Sequence, residues 1–207
     1  MTADSDDDVS ANLAFFRSLV SEGPRMQAAS GLMFVVAGLA YGTVCLVYVA
    51  QIRLNLVLSQ LAWLALSILP TAVFFAAMFY VMWRDRKLGN HGVATRAVNA
   101  AYGSAGLANL FVALSFGYVA TTEKSMTIWL LYPVAMCAFQ GSVWYVAFMV
   151  RRHTWLICVS IGWYATTLLL AWLIRDTAAY LLVLGIAMIG LMGGAGAYMM
   201  LQAKKAD

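Results

Sequence analysis

The chain has 207 residues, of which 63% are hydrophobic and only 11% are charged, and its mean hydropathy is +0.81. Soluble domains are about half apolar and about a quarter charged, so this composition indicates a polytopic membrane protein. The pI near 9.1 does not indicate nucleic-acid binding, because the basic residues cluster at the ends of apolar segments. We therefore expect no nucleic acid among its partners.

Residues 1–24 are predicted to form an acidic cytoplasmic tail followed by an amphipathic helix. The first eight residues, MTADSDDD, are polar and acidic. Apolar side chains then recur at the spacing of one helical face, at Val9, Leu13, Phe16 and Val20. Gly23 and Pro24 end this helix, which is too short to span a bilayer. We expect it to lie on the membrane surface or to dock on protein.

Residues 25–203 are predicted to form a six-helix transmembrane domain, followed by a cytoplasmic C-terminus at 204–207. Each of six apolar segments is long enough for the roughly 30 Å hydrocarbon core of a bilayer. Their approximate bounds are 26–50, 56–83, 93–119, 126–150, 154–174 and 177–201. The predicted fold class is an all-α integral membrane protein, a six-helix bundle with an N-terminal amphipathic surface helix.

The loops distribute positive charge unequally between the two sides of the membrane. With six spans, ten of the 13 basic residues share the side of both termini. These are Arg17, Arg25, Arg84, Arg86, Lys87, Arg96, Arg151, Arg152, Lys204 and Lys205. The positive-inside rule predicts that both termini are cytoplasmic, as expected for a multi-pass protein of the inner membrane.

The third segment is long enough to span a bilayer, yet it carries more polar and small residues than a helix that faces lipid usually does. On a helix, Asn99, Tyr102 and Asn109 share a face with Gly103, Gly106, Ala113 and Gly117. Amide side chains are costly in hydrocarbon, so we expect this helix at the centre of the bundle. With Gln140 as their counterpart on the fourth segment, Asn99, Tyr102 and Asn109 form the candidate interior polar site. Interhelical hydrogen bonding and a polar cavity for a small solute or lipid group both remain open.

Glycines in the first and last segments predict close helix packing. A GxxxG motif lies at Gly38 and Gly42, and a second lies at Gly190 and Gly194. Such motifs let two backbones approach closely within a membrane. Packing inside the bundle is the default interpretation, and a homodimer face is the alternative.

Groups that enzymes or coupled carriers use are missing from the predicted spans. The acidic residues after the tail lie at loops, and the two histidines, His91 and His153, lie in cytoplasmic loops without metal-ligand spacing. The cysteines Cys45, Cys137 and Cys158 share no short spacing and are interpreted as small apolar residues. We expect no catalytic residue, no metal and no cofactor.

A basic rim is predicted at the cytoplasmic surface, formed by Arg84, Arg86, Lys87, Arg151 and Arg152. Such charges attract anionic lipid headgroups, each contributing about 1 kcal/mol near the surface. Topology alone requires the same rim, so headgroup recognition remains one of two interpretations.

The expected function is that of a non-enzymatic inner-membrane protein, an accessory or scaffold subunit of a membrane assembly. The alternative is a small uncoupled transporter, or a protein that binds lipid or a small solute in its polar interior. Expected partners are the lipid bilayer and other membrane proteins or a second copy of the chain.

Overall fold

The computed structural model describes residues 24–84 and 93–206, and the amphipathic helix predicted within residues 1–24 lies almost entirely outside them. Every element of the described part is helical. The helices are α1 (Pro24–Leu54), α2 (Gln60–Arg84), α3 (Val93–Thr122), α4 (Met126–Arg151), α5 (Thr154–Trp172), α6 (Thr177–Ala187) and α7 (Ala195–Ala206). A π-helical segment, Met188–Gly194, joins α6 to α7, and these three elements together are named the sixth span.

The predicted all-helical architecture with six membrane-length helices is confirmed for the described residues. Six helices are long and apolar enough to cross a membrane: Gln27–Leu54, Gln60–Arg84, Arg96–Thr122, Met126–Arg151, Thr154–Trp172 and Thr177–Lys205. Their hydropathy and length support a multi-pass membrane protein.

Short connections end one helix and start the next. Asn55, Lys124 and Arg152 follow α1, α3 and α4 in the left-handed conformation that commonly terminates helices. The Asp176 carboxylate accepts a hydrogen bond from the Ala179 backbone N–H at 3.0 Å and so caps α6. The connections after α1, α3, α4 and α5 are short, and the helices that they join run antiparallel. One end of the bundle therefore collects the basic ends of all six spans, and it is named the basic end.

The long helices pack as a row rather than in chain order. Neighbours along the row are α2, α1, the sixth span, α5, α4 and α3. The row closes on itself at the basic end, where the ring of Phe34 in α1 contacts Tyr102 of α3 and Trp144 of α4. The largest fully buried side chains, Trp144, Trp163 and Tyr180, lie on α4, α5 and the sixth span. The core is therefore centred on these three spans and the face of α1 that covers them.

The third span is not at the centre of the bundle, which corrects the expectation drawn from its amides. Its main contacts are with α4, and only 6% of its most apolar stretch is buried, against 44% for the sixth span. The other edge helix, α2, is also 6% buried and packs mainly on α1. The Asn109 amide nitrogen bonds to one neighbouring helix, α4, and Asn99 is exposed within the first turns of α3, so neither amide requires a central position.

The π segment changes which face of the sixth span meets α1. A π-helix has more residues per turn than an α-helix and acts as a one-residue insertion. Here it contains Gly190, Gly193 and Gly194, and of these Gly193 is buried while the other two are exposed. The two α-helical stretches that flank the π segment, α6 and α7, both pack against α1.

Candidate functional site: polar and aromatic groups inside the bundle

The four residues of the predicted interior polar site do not converge on one point. Asn99 is exposed, whereas Tyr102, Asn109 and Gln140 are half-buried. The Asn109 Nδ2 donates to the Tyr132 hydroxyl at 3.1 Å. Tyr132 and Gln140 are separated by about 12 Å along α4, at 1.5 Å per residue. The structure therefore divides the predicted site into an Asn109 pair and a separate region around Gln140 and Tyr102.

Two hydrogen bonds join the edge helices α2 and α3 to their neighbours. One joins Asn109 of α3 to Tyr132 of α4, and the other joins the Tyr41 hydroxyl of α1 to Thr71 Oγ1 of α2 at 3.2 Å. Each attaches an edge helix to the row. Hydrogen bonds of this kind contribute about 0.6 kcal/mol on average in a membrane protein, so their role is orientation more than stability.

An aromatic cluster at the basic end joins five of the six spans. Tyr102 lies 5.1 Å from Phe34 and 6.0 Å from Trp144, between ring centroids. Trp144 in turn lies 5.8 Å from Trp155, and Trp155 lies 5.2 Å from Tyr198. The sequence places each of these aromatics within a few turns of a basic helix end. Belt residues at a membrane interface give the same pattern, so sequence reasoning missed the cluster.

Small residues bring α4 and α5 close together next to this cluster. The Ser160 hydroxyl, 1% exposed, donates to the Gly141 carbonyl at 2.7 Å. A Cβ on Gly141 would lie 2.9 Å from the Tyr164 ring, whose hydroxyl is 3.0 Å from Ser142 Oγ. Ser160 and Gly141 therefore fix the register of the two helices.

Several buried polar atoms inside the described part of the bundle have no hydrogen-bond partner. They are Asn109 Oδ1, Gln140 Oε1 and the indole nitrogens of Trp144, Trp155 and Trp163. A buried donor or acceptor without a partner is rare in proteins and calls for an explanation such as bound water. These atoms are where the interior can bind a further hydrogen-bonding group.

The glycines of the first span lie directly against the sixth span. Gly38 and Gly42 face Gly193 and Gly185, respectively, and a Cβ on Gly38 would collide with the Gly193 backbone nitrogen. A Cβ on Gly42 would lie 3.1 Å from the Gly185 carbonyl oxygen. At these positions only glycine permits the observed approach of the two backbones.

Gly190 and Gly194, the second predicted packing pair, do not take part in this contact. Both are exposed, and a Cβ on Gly190 would meet nothing within 4 Å. The residues that meet α1 instead are Gly185, Gly193 and Gly196, which lie on another face of the sixth span. The sequence contains all these glycines but no signal for the π segment.

The described residues of the predicted basic rim all lie at the basic end. Arg84 ends α2 with its guanidinium 5.8 Å from the centre of the Tyr80 ring, and Arg151 and Arg152 end α4. Arg86 and Lys87 lie outside the described residues. Lys204 and Lys205 are exposed near the end of α7 and extend the rim.

The interior groups brought together in this way are amides, hydroxyls and indoles. They can hold a neutral molecule by hydrogen bonds, and among the described residues no group of three His, Cys, Asp or Glu side chains is placed to hold a metal ion. No protein-family model matches the chain, and neither a curated protein nor a solved structure is similar to it.

Proposed function

We propose that this chain is a non-enzymatic accessory or scaffold subunit of a membrane assembly, placed in the inner membrane with both termini cytoplasmic. The observation that supports this role is the open outer face of α3. A Cβ on Gly103 or on Gly106 would meet nothing within 4 Å, so these glycines pack against no other part of the described chain.

Small residues in a membrane helix are typical of contacts between helices, because they let two backbones approach closely, whereas a helix face that meets only lipid gains nothing from them. The glycines of α1 and the sixth span fit this rule inside the bundle, where Gly38 meets Gly193. By the same physical argument, Gly103 and Gly106 suit a helix of another membrane protein. Large apolar side chains beside them, Leu107 and Leu110, are 58% and 53% exposed and would add contact area.

The proposed orientation relies on the basic end. Among described residues, Arg96, Arg152 and Lys204 lie there, and Arg53, Lys124 and Arg175 lie at the opposite end. With Arg84, Arg151 and Lys205 included, the basic end holds most of the basic residues of the described part, the excess that the positive-inside rule expects at a cytoplasmic face.

Site-specific photo-crosslinking in native membranes tests the subunit role. A photoreactive residue at Leu110 is expected to crosslink to one defined membrane protein, and Gly106→Leu should abolish that product by blocking close approach. Ser115→Leu is the matched control, because Ser115 is exposed on α3 and its hydroxyl bonds only to the Phe111 carbonyl of its own helix. Crosslinks to lipid alone, together with purification as a lone monomer, would exclude the proposal. A crosslink to a second copy of the chain would show that the open face of α3 forms a homodimer and does not bind another protein.

A second function is favoured by one specific observation. Asn109 Oδ1 and Gln140 Oε1 are buried without hydrogen-bond donors, which supports an uncoupled transporter or a protein that binds lipid or a small solute. Asn109→Leu and Gln140→Leu should then abolish solute binding or passage in proteoliposomes while leaving the Leu110 crosslink intact. The subunit role predicts that these two variants change neither measurement and that Gly106→Leu removes the crosslink.

A further inference from the structure

Two tryptophans in the core have indole N–H groups that find no acceptor. Trp144 in α4 and Trp163 in α5 are both 0% exposed, and the Nε1 atom of each lacks a hydrogen-bond partner. Gln140, also in α4, has a buried side-chain oxygen without a donor. Buried groups of both kinds, donors and an acceptor, thus occur on α4 and α5, the helices joined by the hydrogen bond between Ser160 and Gly141.

The contact between α4 and α5 places these groups at neighbouring levels. The Ser160 hydroxyl donates to the Gly141 carbonyl at 2.7 Å, which aligns the two antiparallel helices. Trp163 is about one turn beyond Ser160, and Gln140 is adjacent to Gly141. Trp144 lies one turn from Gln140 toward the basic end. The amide acceptor therefore lies between the levels of the two indole donors.

Aromatic rings can accept weak hydrogen bonds, and this explains Trp144 in part. Trp144 lies edge-on to Tyr102, with an angle of 85° between the rings, and also packs against Trp155. Trp163, however, takes part in none of the ring contacts within residues 24–84 and 93–206. Among the described residues its N–H has neither a polar acceptor nor a ring contact, so a molecule outside the chain is its candidate acceptor.

We propose that the contact between α4 and α5 holds a buried binding site for water, or for a small neutral solute with the same hydrogen-bonding chemistry. The occupant accepts a hydrogen bond from Trp163 and donates one to Gln140, and Trp144 supplies a further donor on the side of the basic end. Only a molecule that both donates and accepts satisfies this set, and hydroxyl, amide and water groups do so. The site is neutral because Arg151 and Arg152, the charges of α4, lie at its end rather than beside Gln140. It goes beyond the subunit role and does not depend on any partner.

The test uses the full chain with ¹⁵N-labelled tryptophan in detergent micelles or nanodiscs. Seven indole N–H signals are expected, and single Trp→Phe variants assign them. A buried, occupied site predicts a magnetisation-transfer peak between water and the Trp163 N–H, despite the full burial of that side chain. Absence of this peak from the unsubstituted protein, with no effect of added solute either, would overturn the proposal, and the Trp→Phe variants serve only for assignment.

Variants of the acceptor separate the site from general hydration of the bundle. Gln140→Leu is expected to remove the water peak of Trp163, since the occupant loses the group to which it donates. Gln140→Met, an unbranched side chain of similar length, should do the same if Gln140→Leu fails to fold. Gln27→Leu is the matched control, because its amide donates to Gln202 at 3.1 Å between α1 and α7, away from this site. Loss of the peak in the control, or its persistence in both Gln140 variants, contradicts the assignment.

Added solutes distinguish the two candidate occupants, water and a small neutral solute, which have the same hydrogen-bonding chemistry. Titration with urea or glycerol should leave the Trp163 signal unchanged if the occupant is water. A saturable shift of that signal, absent from Gln140→Leu, identifies a small solute as the occupant. Either result supports the site, whereas a shift that Gln140→Leu leaves intact would overturn it.

Discussion

Gly31 and Gly196 approach each other so closely that a Cβ on Gly31 would lie 2.6 Å from the Gly196 carbonyl oxygen, and a Cβ on Gly196 would lie 2.5 Å from that of Gly31. The two backbones are thus in reciprocal contact at the basic end of α1 and the sixth span. Gly38 and Gly42 continue the same contact toward the opposite end. The pairing of the first and last spans is therefore made by backbone, with few side chains between.

Substitution of Gly31 or Gly196 should destabilise the bundle. Gly31→Ala forces the backbones apart, and overpacking of this kind costs typically about 1–3 kcal/mol. Gly190→Ala is the control, since a Cβ there meets nothing within 4 Å. The control should be neutral or stabilising by up to about 1 kcal/mol, because alanine favours helix more than glycine. Unfolding of the purified protein in denaturing detergent measures both, and equal midpoints for Gly31→Ala and the wild type would contradict the close contact.

Deletion of Gly190 should convert the π segment into α-helix while preserving the fold. A π-bulge contains one residue more than the α-helix that would replace it, and Gly190 is exposed and unpacked. After the deletion, α6 and α7 both keep their places on α1. We expect an unfolding midpoint close to that of the wild type and an unchanged far-UV circular dichroism spectrum.

The control for this deletion removes a residue from a regular helix. Deletion of Leu39, which is 47% exposed in α1, rotates Gly38 by about 100° relative to Gly42. One of the two glycines then leaves the contact with the sixth span, and the protein should be strongly destabilised or fail to fold. Equal effects of the two deletions would show that the π segment has no special tolerance.

The sequence predicts the helices of this protein better than their arrangement. Runs of apolar residues and the charges between them define six helices, because bilayer thickness sets their length. The position of α3 is not predictable in this way. Asn99 and Asn109 indicate a helix with a polar face, yet Asn99 is exposed and the Asn109 amide forms one hydrogen bond, to Tyr132 of a single neighbouring helix, while its oxygen has no partner among the described residues.

In the candidate site too, the sequence identifies which residues are small or polar but does not predict which of them come into contact. Gly38 and Gly42 lie in the predicted contact, whereas Gly190 and Gly194, in the π segment, lie on an exposed face of the sixth span. A π segment depends on the fit of its neighbours and leaves no clear pattern in a single sequence. Trp163 was not predicted either, since a lone tryptophan in an apolar helix is typical of ordinary core packing.

A double-mutant cycle on Asn109 and Tyr132 should show weak coupling between α3 and α4. Asn109→Leu and Tyr132→Phe each remove the 3.1 Å hydrogen bond, and such bonds average about 0.6 kcal/mol in membrane proteins. Asn109→Leu also removes a buried oxygen without a partner, so its own effect should be smaller than that of Tyr132→Phe. Denaturing-detergent titrations of the four proteins measure the cycle. A coupling well above about 2 kcal/mol would instead indicate that this pair is part of a larger polar network.

The orientation of the chain predicts which loops a membrane-impermeant thiol reagent reaches. In a background with the three native cysteines replaced by alanine, Ser125→Cys reports the connection between α3 and α4, and Lys205→Cys reports the basic end. Reagent added to intact cells should reach the outer compartment and label Ser125→Cys. It should label Lys205→Cys only after the inner membrane is permeabilised, because the orientation proposed from the positive-inside rule places the basic end in the cytoplasm. The denaturing-detergent unfolding assay described for Gly31→Ala, applied to the cysteine-free protein, verifies that its fold is retained. The reverse labelling pattern would place the basic end outside, and the arginines of α2 and α4 would then need anionic partners other than cytoplasmic lipid.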